Sequence, residues 1–212
     1  MMEALAGMVD APQVLALAAA LGWASGIRLY LATFVAGLAG YMGWIELPQG
    51  LHMLQHPAVL ATSGAMTFME FFADKIPFID SVWDMVHTVI RIPAGAALAA
   101  GAIGADTTAM AWVAALMGGG LAATSHATKM TTRAAVNTSP EPFSNIGVSL
   151  MEDGFVLFML WLAATEPLIF AVVLVLTLIA MVVALVLLIK FLRLAAQRLN
   201  NFFAGRRSPQ NL

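Results

Sequence analysis

The sequence contains no cysteine. Disulfides, thiolate metal ligands and cysteine nucleophiles are excluded, although the absence fixes no redox compartment. Charge is also scarce: 10% of the 212 residues are Asp, Glu, Lys or Arg, against 61% hydrophobic. Soluble domains carry roughly a quarter charged residues, so a mean hydropathy of +0.87 excludes an ordinary soluble fold. A formal net charge of −2, with no basic patch interleaved with aromatics, excludes a nucleic-acid partner. The first thirteen residues hold Glu3 and Asp10 but no Lys or Arg. A cleaved signal peptide needs a basic leader, so residue 13 onward reads as a retained span.

Long apolar runs are present instead. Residues 167–189, 23 positions, carry no charge. As a helix they rise roughly 35 Å, enough to cross a hydrocarbon core of about 30 Å. The predicted fold is all-α: a polytopic membrane bundle of about six hydrophobic segments, at 13–42, 57–73, 78–104, 107–137, 145–165 and 167–195. Gly and Pro punctuate the joins, as at Pro57, Pro77, Pro140, Pro142 and Pro167. Segment 57–73 is short for a crossing, and 145–165 is interrupted by Glu152, Asp153 and Gly154. Either is expected to be re-entrant or broken, which is tolerated only where protein or water covers the freed backbone. One transmembrane domain (1–195) and a basic cytoplasmic tail (196–212) follow from this division.

Basic residues set the expected orientation. Lys190, Arg193, Arg198, Arg206 and Arg207 lie at the C-terminal end, Lys75 at the second join and Arg133 near the fourth, while residues 43–56 and 101–106 hold none. Six crossings then place both termini in the cytoplasm. A weak internal echo lays residues 24–29 on 125–130, Arg28 on Lys129, which is compatible with a 3+3 repeat.

The little charge there is clusters. Residues 74–93 hold Asp74, Lys75, Asp80, Asp84, His87 and Arg91. At about 100° per residue, Asp80, Asp84, His87 and Arg91 fall within an arc of about 60° on a helix. Glu70 and Asp74, one turn apart, make a second acidic edge. His126, Lys129 and Arg133 share another arc, beside Ser125, Thr128, Thr132 and Asn137. An ionised group at mid-bilayer costs about 3 kcal/mol on insertion scales, so such groups face inward and pair. The plainer reading is therefore interhelical ion pairing. Adjacent like charges argue for more, because paired carboxylates raise each other's proton affinity or recruit a cation. Asp80, Asp84 and His87 match no recognised metal signature, and metal binding stays open. Ser125 and His126 lack a nucleophile elbow or a third member, so no enzyme is expected. The run of Gly118, Gly119 and Gly120 suits a bend or a close helix approach. Trp23, Trp44, Trp112 and Trp161 read as interface anchors or packing residues.

Three patches together resemble a known family: SGIRLY (25–30), TSHATK and TRAAVNTSPEPFSN (124–129 and 132–145), and the Glu152-Asp153-Gly154 that follows. They resemble the bacterial integral-membrane family catalogued as domain of unknown function 4126. The resemblance implies a multi-pass inner-membrane protein and implies no substrate or reaction.

The residues point to a small channel or secondary transporter, proton- or cation-coupled, without a cofactor. Its pathway would comprise Arg28, Glu70, Asp74, Asp80, Asp84, His87, Arg91, His126, Lys129, Arg133, Glu152 and Asp153. Asp80 and Asp84 are the expected proton or cation sites, and Arg28 and Lys129 their counter-charges or anion contacts. The expected partners are the lipid bilayer, a small ion or small-molecule substrate and, because a 22.4 kDa chain encloses little pathway, a second copy in a homodimer. The alternative is a non-transporting structural or accessory subunit whose charges are internally paired.

Overall fold

A computed structural model describes residues 2–104, 108–138 and 142–205. Asp106, the Ser139-Pro140-Glu141 part of the proline loop, and Arg206 and Arg207 of the tail lie outside the described residues. The elements are α1 (Met2–Tyr41), a 3-10 helix (Gln49–Gln55), α2 (Pro57–Ala73), α3 (Ile79–Ile103), α4 (Thr108–Val136), α5 (Pro142–Thr165) and α6 (Pro167–Gly205), with no strand among the described residues. Four helical stretches are long and apolar enough to cross a membrane: Ala11–Tyr41, Ile79–Ile103, Phe143–Thr165 and Pro167–Arg198. α2, at 17 residues, is too short, and α4 carries Ser, Thr, His126, Lys129 and Arg133 along much of its length.

α1 is not one rod. At Arg28 the backbone leaves helical geometry (φ −142°, ψ 70°), and the chain doubles back. A straight helix would hold Gln13 and Tyr41 roughly 40 Å apart. Instead Gln13, Val14 and Leu17 share the lining of one cavity with Trp44, Ile45 and Glu46. The two arms, 11–27 and 29–41, therefore rise only about 25 Å and about 20 Å from the tip at Arg28, and both far ends lie at the same end of the bundle, termed upper here. The break expected in 57–73 or 145–165 thus falls in the first segment. α5 runs unbroken through Glu152, Asp153 and Gly154, because nothing in that triplet removes a backbone donor. The echo of Arg28 in Lys129 does not extend to the backbone either, since α4 continues through Lys129.

The remaining helices alternate around this wedge. α2 descends along the second arm, with Leu60 against Gly37 and Phe34 against Gly64. α3 climbs and α4 descends beside the first arm, pairing Gly95 with Gly118 and Asp84 with Lys129. α5 climbs, with Phe155 against Trp23 (5.4 Å, edge-on) and Ala163 beside Gln13. α6 descends to Ile189 and Arg193 beside Met130 and Ala134. Ala11 and the end of α6 consequently stand at opposite ends of the bundle. The expectation of both termini on one side assumed that residues 13–42 cross once.

Glycine makes the central seam possible. A Cβ on Gly22 would lie 2.7 Å from the Gly118 Cα, inside backbone van der Waals contact. α6 in turn turns an apolar face outward, with Leu168, Val172, Leu176, Ile179 and Val183 exposed, as a lipid-facing helix requires.

Gly22→Val should lower the melting temperature in detergent by several degrees, since overpacking costs about 1–3 kcal/mol. Gly147 has open space around its Cβ position, so Gly147→Ala should leave the melting temperature unchanged or raise it. Equal effects at both positions would contradict the seam.

A buried charge network at the broken helix

The break at Arg28 leaves the last carbonyls of the first arm without helical partners, in the middle of an apolar bundle. An unpaired buried backbone acceptor costs about 1–3 kcal/mol, and α4 supplies the partners. Lys129 Nζ donates to the Ile27 carbonyl at 3.0 Å. His126 Nδ1 stands 3.1 Å from the Gly26 carbonyl, which fixes the tautomer with the proton on Nδ1. Its Nε2, 2.7 Å from Thr88 Oγ1, then accepts. Ser125 Oγ donates to the Trp23 carbonyl at 2.7 Å. These three positions lie on the polar arc of α4, and a cation at a helix C-terminus is also favoured by the helix dipole.

Lys129 and Arg28 together draw in the acids. Arg28 pairs with Asp74 through Nη1, with Glu152 at 3.3 Å through Nη2, and has Nε 2.7 Å from Asp153 Oδ1, an ion contact without hydrogen-bond alignment. Ser149 Oγ accepts from Arg28 Nη2 at 2.9 Å. Asp74, the residue that caps the C-terminus of α2, also meets Lys129 at 2.7 Å and Arg133 at 3.7 Å. Glu152 also meets Arg133 at 2.7 Å and Lys129 at 3.9 Å. Asp84 lies 2.7 Å from Arg91 and 3.2 Å from Lys129, and Arg91 bonds Glu70 as well. Every one of these side chains is buried except Glu152 and Asp153, which keep 14% and 19% exposure.

Ten of the twelve residues singled out in the sequence thus meet in one network: Arg28, Glu70, Asp74, Asp84, Arg91, His126, Lys129, Arg133, Glu152 and Asp153. Two stand apart. Asp80 accepts from Asn137 Nδ2 at 3.0 and 3.2 Å and from the Ser81 amide at 2.6 Å, and has no cation beside it among the described residues. Among the described residues it joins the network through amides, since Asn145 Nδ2 reaches Asn137 at 3.4 Å and Asn145 Oδ1 accepts from Arg133 at 3.0 Å. His87 stacks on Trp83 (ring centroids 4.2 Å) and donates from Nδ1 to the Trp83 carbonyl at 2.7 Å. Asp80 and Asp84 therefore do not act as a like-charge pair, and Glu70 and Asp74 are likewise separated by their different cations. Among the described residues, no group of three or more His, Asp or Glu side chains is disposed to hold a metal ion.

Ser149 was missed by the sequence reading, although Asn145, Ser149 and Glu152 are spaced as one helical face. The network is not fully self-satisfied. Glu70 Oε2, Asp74 Oδ1, Asp84 Oδ2 and Asp153 Oδ2 are buried without a hydrogen-bond partner. Two cavities flank it. One of about 220 Å³ is lined by Arg28, Glu70 and Asp153, and another of about 300 Å³ by Lys129, Glu152, Ser125 and Thr128.

The chain belongs to the family described as domain of unknown function (DUF4126), whose model matches residues 15–187. No curated protein and no solved structure matches it. The matched span contains the whole network.

Among the described residues Asp74 serves three cations and Asp80 none, so the two acids should differ sharply on neutralisation. Removing one partner from a buried ion pair costs about 3–5 kcal/mol. Asp74→Asn should therefore lower the melting temperature in detergent far more than Asp80→Asn. Equal losses would contradict the assignment of Asp74 as the centre of the network.

Proposed function

We propose that this member of the family is a small α-helical channel or secondary transporter, coupled to a proton or cation, that uses the charge network as its intramembrane site. One observation carries this reading: a helix broken inside the bundle, at the residue that enters a buried network with unpartnered carboxylate oxygens. Irregular backbone at membrane depth is tolerated where it is enclosed by protein or lines a water-filled cavity, and broken helices commonly form the ion and substrate sites of transporters. Ionisable groups at that depth are otherwise costly. The cavities on either side give a solute somewhere to go. Catalysis is not part of the proposal. The Ser125 hydroxyl and the His126 ring are each turned to α1 carbonyls.

The fold-back changes the proposed topology. Lys190, Arg193 and Arg198 lie toward the lower end of α6, and residues 42–56 at the upper end hold no Lys or Arg. The positive-inside rule then puts the C-terminal end in the cytoplasm and Ala11 on the opposite side of what we take to be a bacterial inner membrane. A homodimer belongs to the same reading, since one 22.4 kDa chain encloses little pathway. The competing reading, a non-transporting accessory subunit, is favoured by one fact: each cation of the network meets at least one carboxylate.

Reconstitution in liposomes separates the two. Wild-type protein should pass protons or a monovalent cation down an imposed gradient, and Asp84→Asn should reduce the flux to that of empty liposomes. Unchanged flux in Asp84→Asn, or none from wild type, would favour the accessory subunit. Cysteines placed at Glu46 and Arg198 of this Cys-free chain should react with an impermeant thiol reagent from opposite sides; labelling from one side would contradict the topology.

A further inference from the structure

We propose that the open groove between α4 and α6, at the lower end of the bundle, binds one anionic phospholipid, with its phosphate on Arg193 and an acyl chain along the apolar floor. The inference needs the helices to sit in a bilayer. It depends neither on transport nor on which side of the membrane the lower end faces.

The groove has a volume of about 480 Å³. α4 contributes Met130, Thr131 and Ala134 to its lining, and α6 contributes Ile189, Leu192 and Arg193. Two of the lining residues are polar, and Thr131 donates its hydroxyl proton to the Ala127 carbonyl at 2.7 Å. The Arg193 guanidinium is therefore the side-chain donor of an otherwise apolar groove whose lining holds no carboxylate. An apolar channel headed by one permanent cation selects an anion that carries a hydrocarbon chain. A guanidinium matches a phosphate through two parallel hydrogen bonds.

No group of the protein neutralises that cation among the described residues. Arg193 has no hydrogen bond or ion pair there, and neither has Lys190, one turn earlier at i−3. The described carboxylates of the lower half are engaged elsewhere. Glu70, Asp74, Asp84, Glu152 and Asp153 face the cations of the network, and Asp80 accepts from Asn137. Lys75 makes the contrast plain, since its ammonium has protein partners, the Phe71 carbonyl at 2.9 Å and Ser149 Oγ at 3.3 Å. The upper end has no equivalent basic group in residues 42–56.

Depth fits a headgroup. Arg193 comes 26 residues after Pro167, a rise of roughly 39 Å. At the tilt of about 20° usual for membrane helices, that covers about 37 Å of bilayer. The hydrocarbon core accounts for about 30 Å of a total of about 40–45 Å, so Arg193 falls in the phosphate layer. The charge-free run of α6 ends at Ile189, which lies one turn nearer the chains. At about 30 Å³ per water, the groove holds the volume of roughly sixteen waters, room for a phosphate and the first methylenes of one chain. Basic pockets between membrane helices recognise anionic headgroups in this way.

The test is thermal unfolding of the purified full chain in a non-ionic detergent at fixed pH and ionic strength, with added phosphatidylglycerol or phosphatidylcholine of the same acyl chains. Phosphatidylglycerol should raise the melting temperature by several degrees with a saturable dependence, and phosphatidylcholine should not. Arg193→Gln should weaken that rise several-fold. Ala134→Phe keeps every charge and fills the groove from an exposed position, so it should weaken the rise as strongly. Arg198→Gln removes an equal charge outside the groove lining and should leave the rise intact. Inorganic phosphate, which lacks the chain, should give no rise. Equal rises with both lipids, a rise undiminished in Arg193→Gln or Ala134→Phe, or one lost equally in Arg198→Gln would overturn the site. So would a rise with inorganic phosphate, which would make the ligand a free anion.

Discussion

The structure turns on a helix end buried within the bundle. The first arm of α1 stops at Ile27 inside an apolar bundle, and its last carbonyls must find donors. The donors come from α4, as Lys129 on Ile27 and His126 on Gly26. Once Lys129 is fixed there, its charge requires acids, and Asp74 and Asp84 meet it from α2 and α3. Arg28, carried in at the tip, requires more, and α5 answers with Glu152, Asp153 and Ser149. Five helices are tied to one point by the consequences of a single interrupted backbone.

The pairing is shared rather than one-to-one. Burying an ion costs several kcal/mol after relaxation, and attraction in the low-dielectric interior offsets this only where geometry and further hydrogen bonds are good. Isolated pairs would each bear that penalty alone. Here Asp74 is common to Arg28, Lys129 and Arg133, and Glu152 to the same three. Such a network gives little net stability compared with an apolar core, but it specifies which helix face meets which. It also responds to any change in its charge, since a shift at one carboxylate is felt by several cations.

Much of this was legible in the sequence, for identifiable reasons. The 3.6-residue period of α3 put Asp84 and Arg91 on one inward stripe, and both are buried. The arc of His126, Lys129 and Arg133 was as plain on α4. The period also placed Asp80 and His87 on the same stripe, but it says nothing of depth along the axis. Asp80 lies a full turn below the network, opposite Asn137, and His87 is captured by Trp83. The Ser25-Gly26 pair just before Arg28 is a local sign of a kink, but not a decisive one, because the same pair at Ser63-Gly64 lies within a continuous helix. What selects the break is tertiary, namely partners for the freed carbonyls on α4 and for Arg28 on α2 and α5. Single-helix reasoning cannot see those partners. It therefore expected the interruption in the short segment 57–73 or in the charged, glycine-bearing 145–165, and the helices there, α2 and α5, are each continuous.

The central claim is that α1 folds back at Arg28. The most direct measurement is the distance between spin labels on cysteines introduced at Gln13 and Trp44, read by pulsed electron resonance in detergent or bilayer. The account predicts a separation well under half of the roughly 40 Å that an uninterrupted helix would impose. A distribution centred near the longer value would contradict it, and with it the position of Arg28 at the heart of the network.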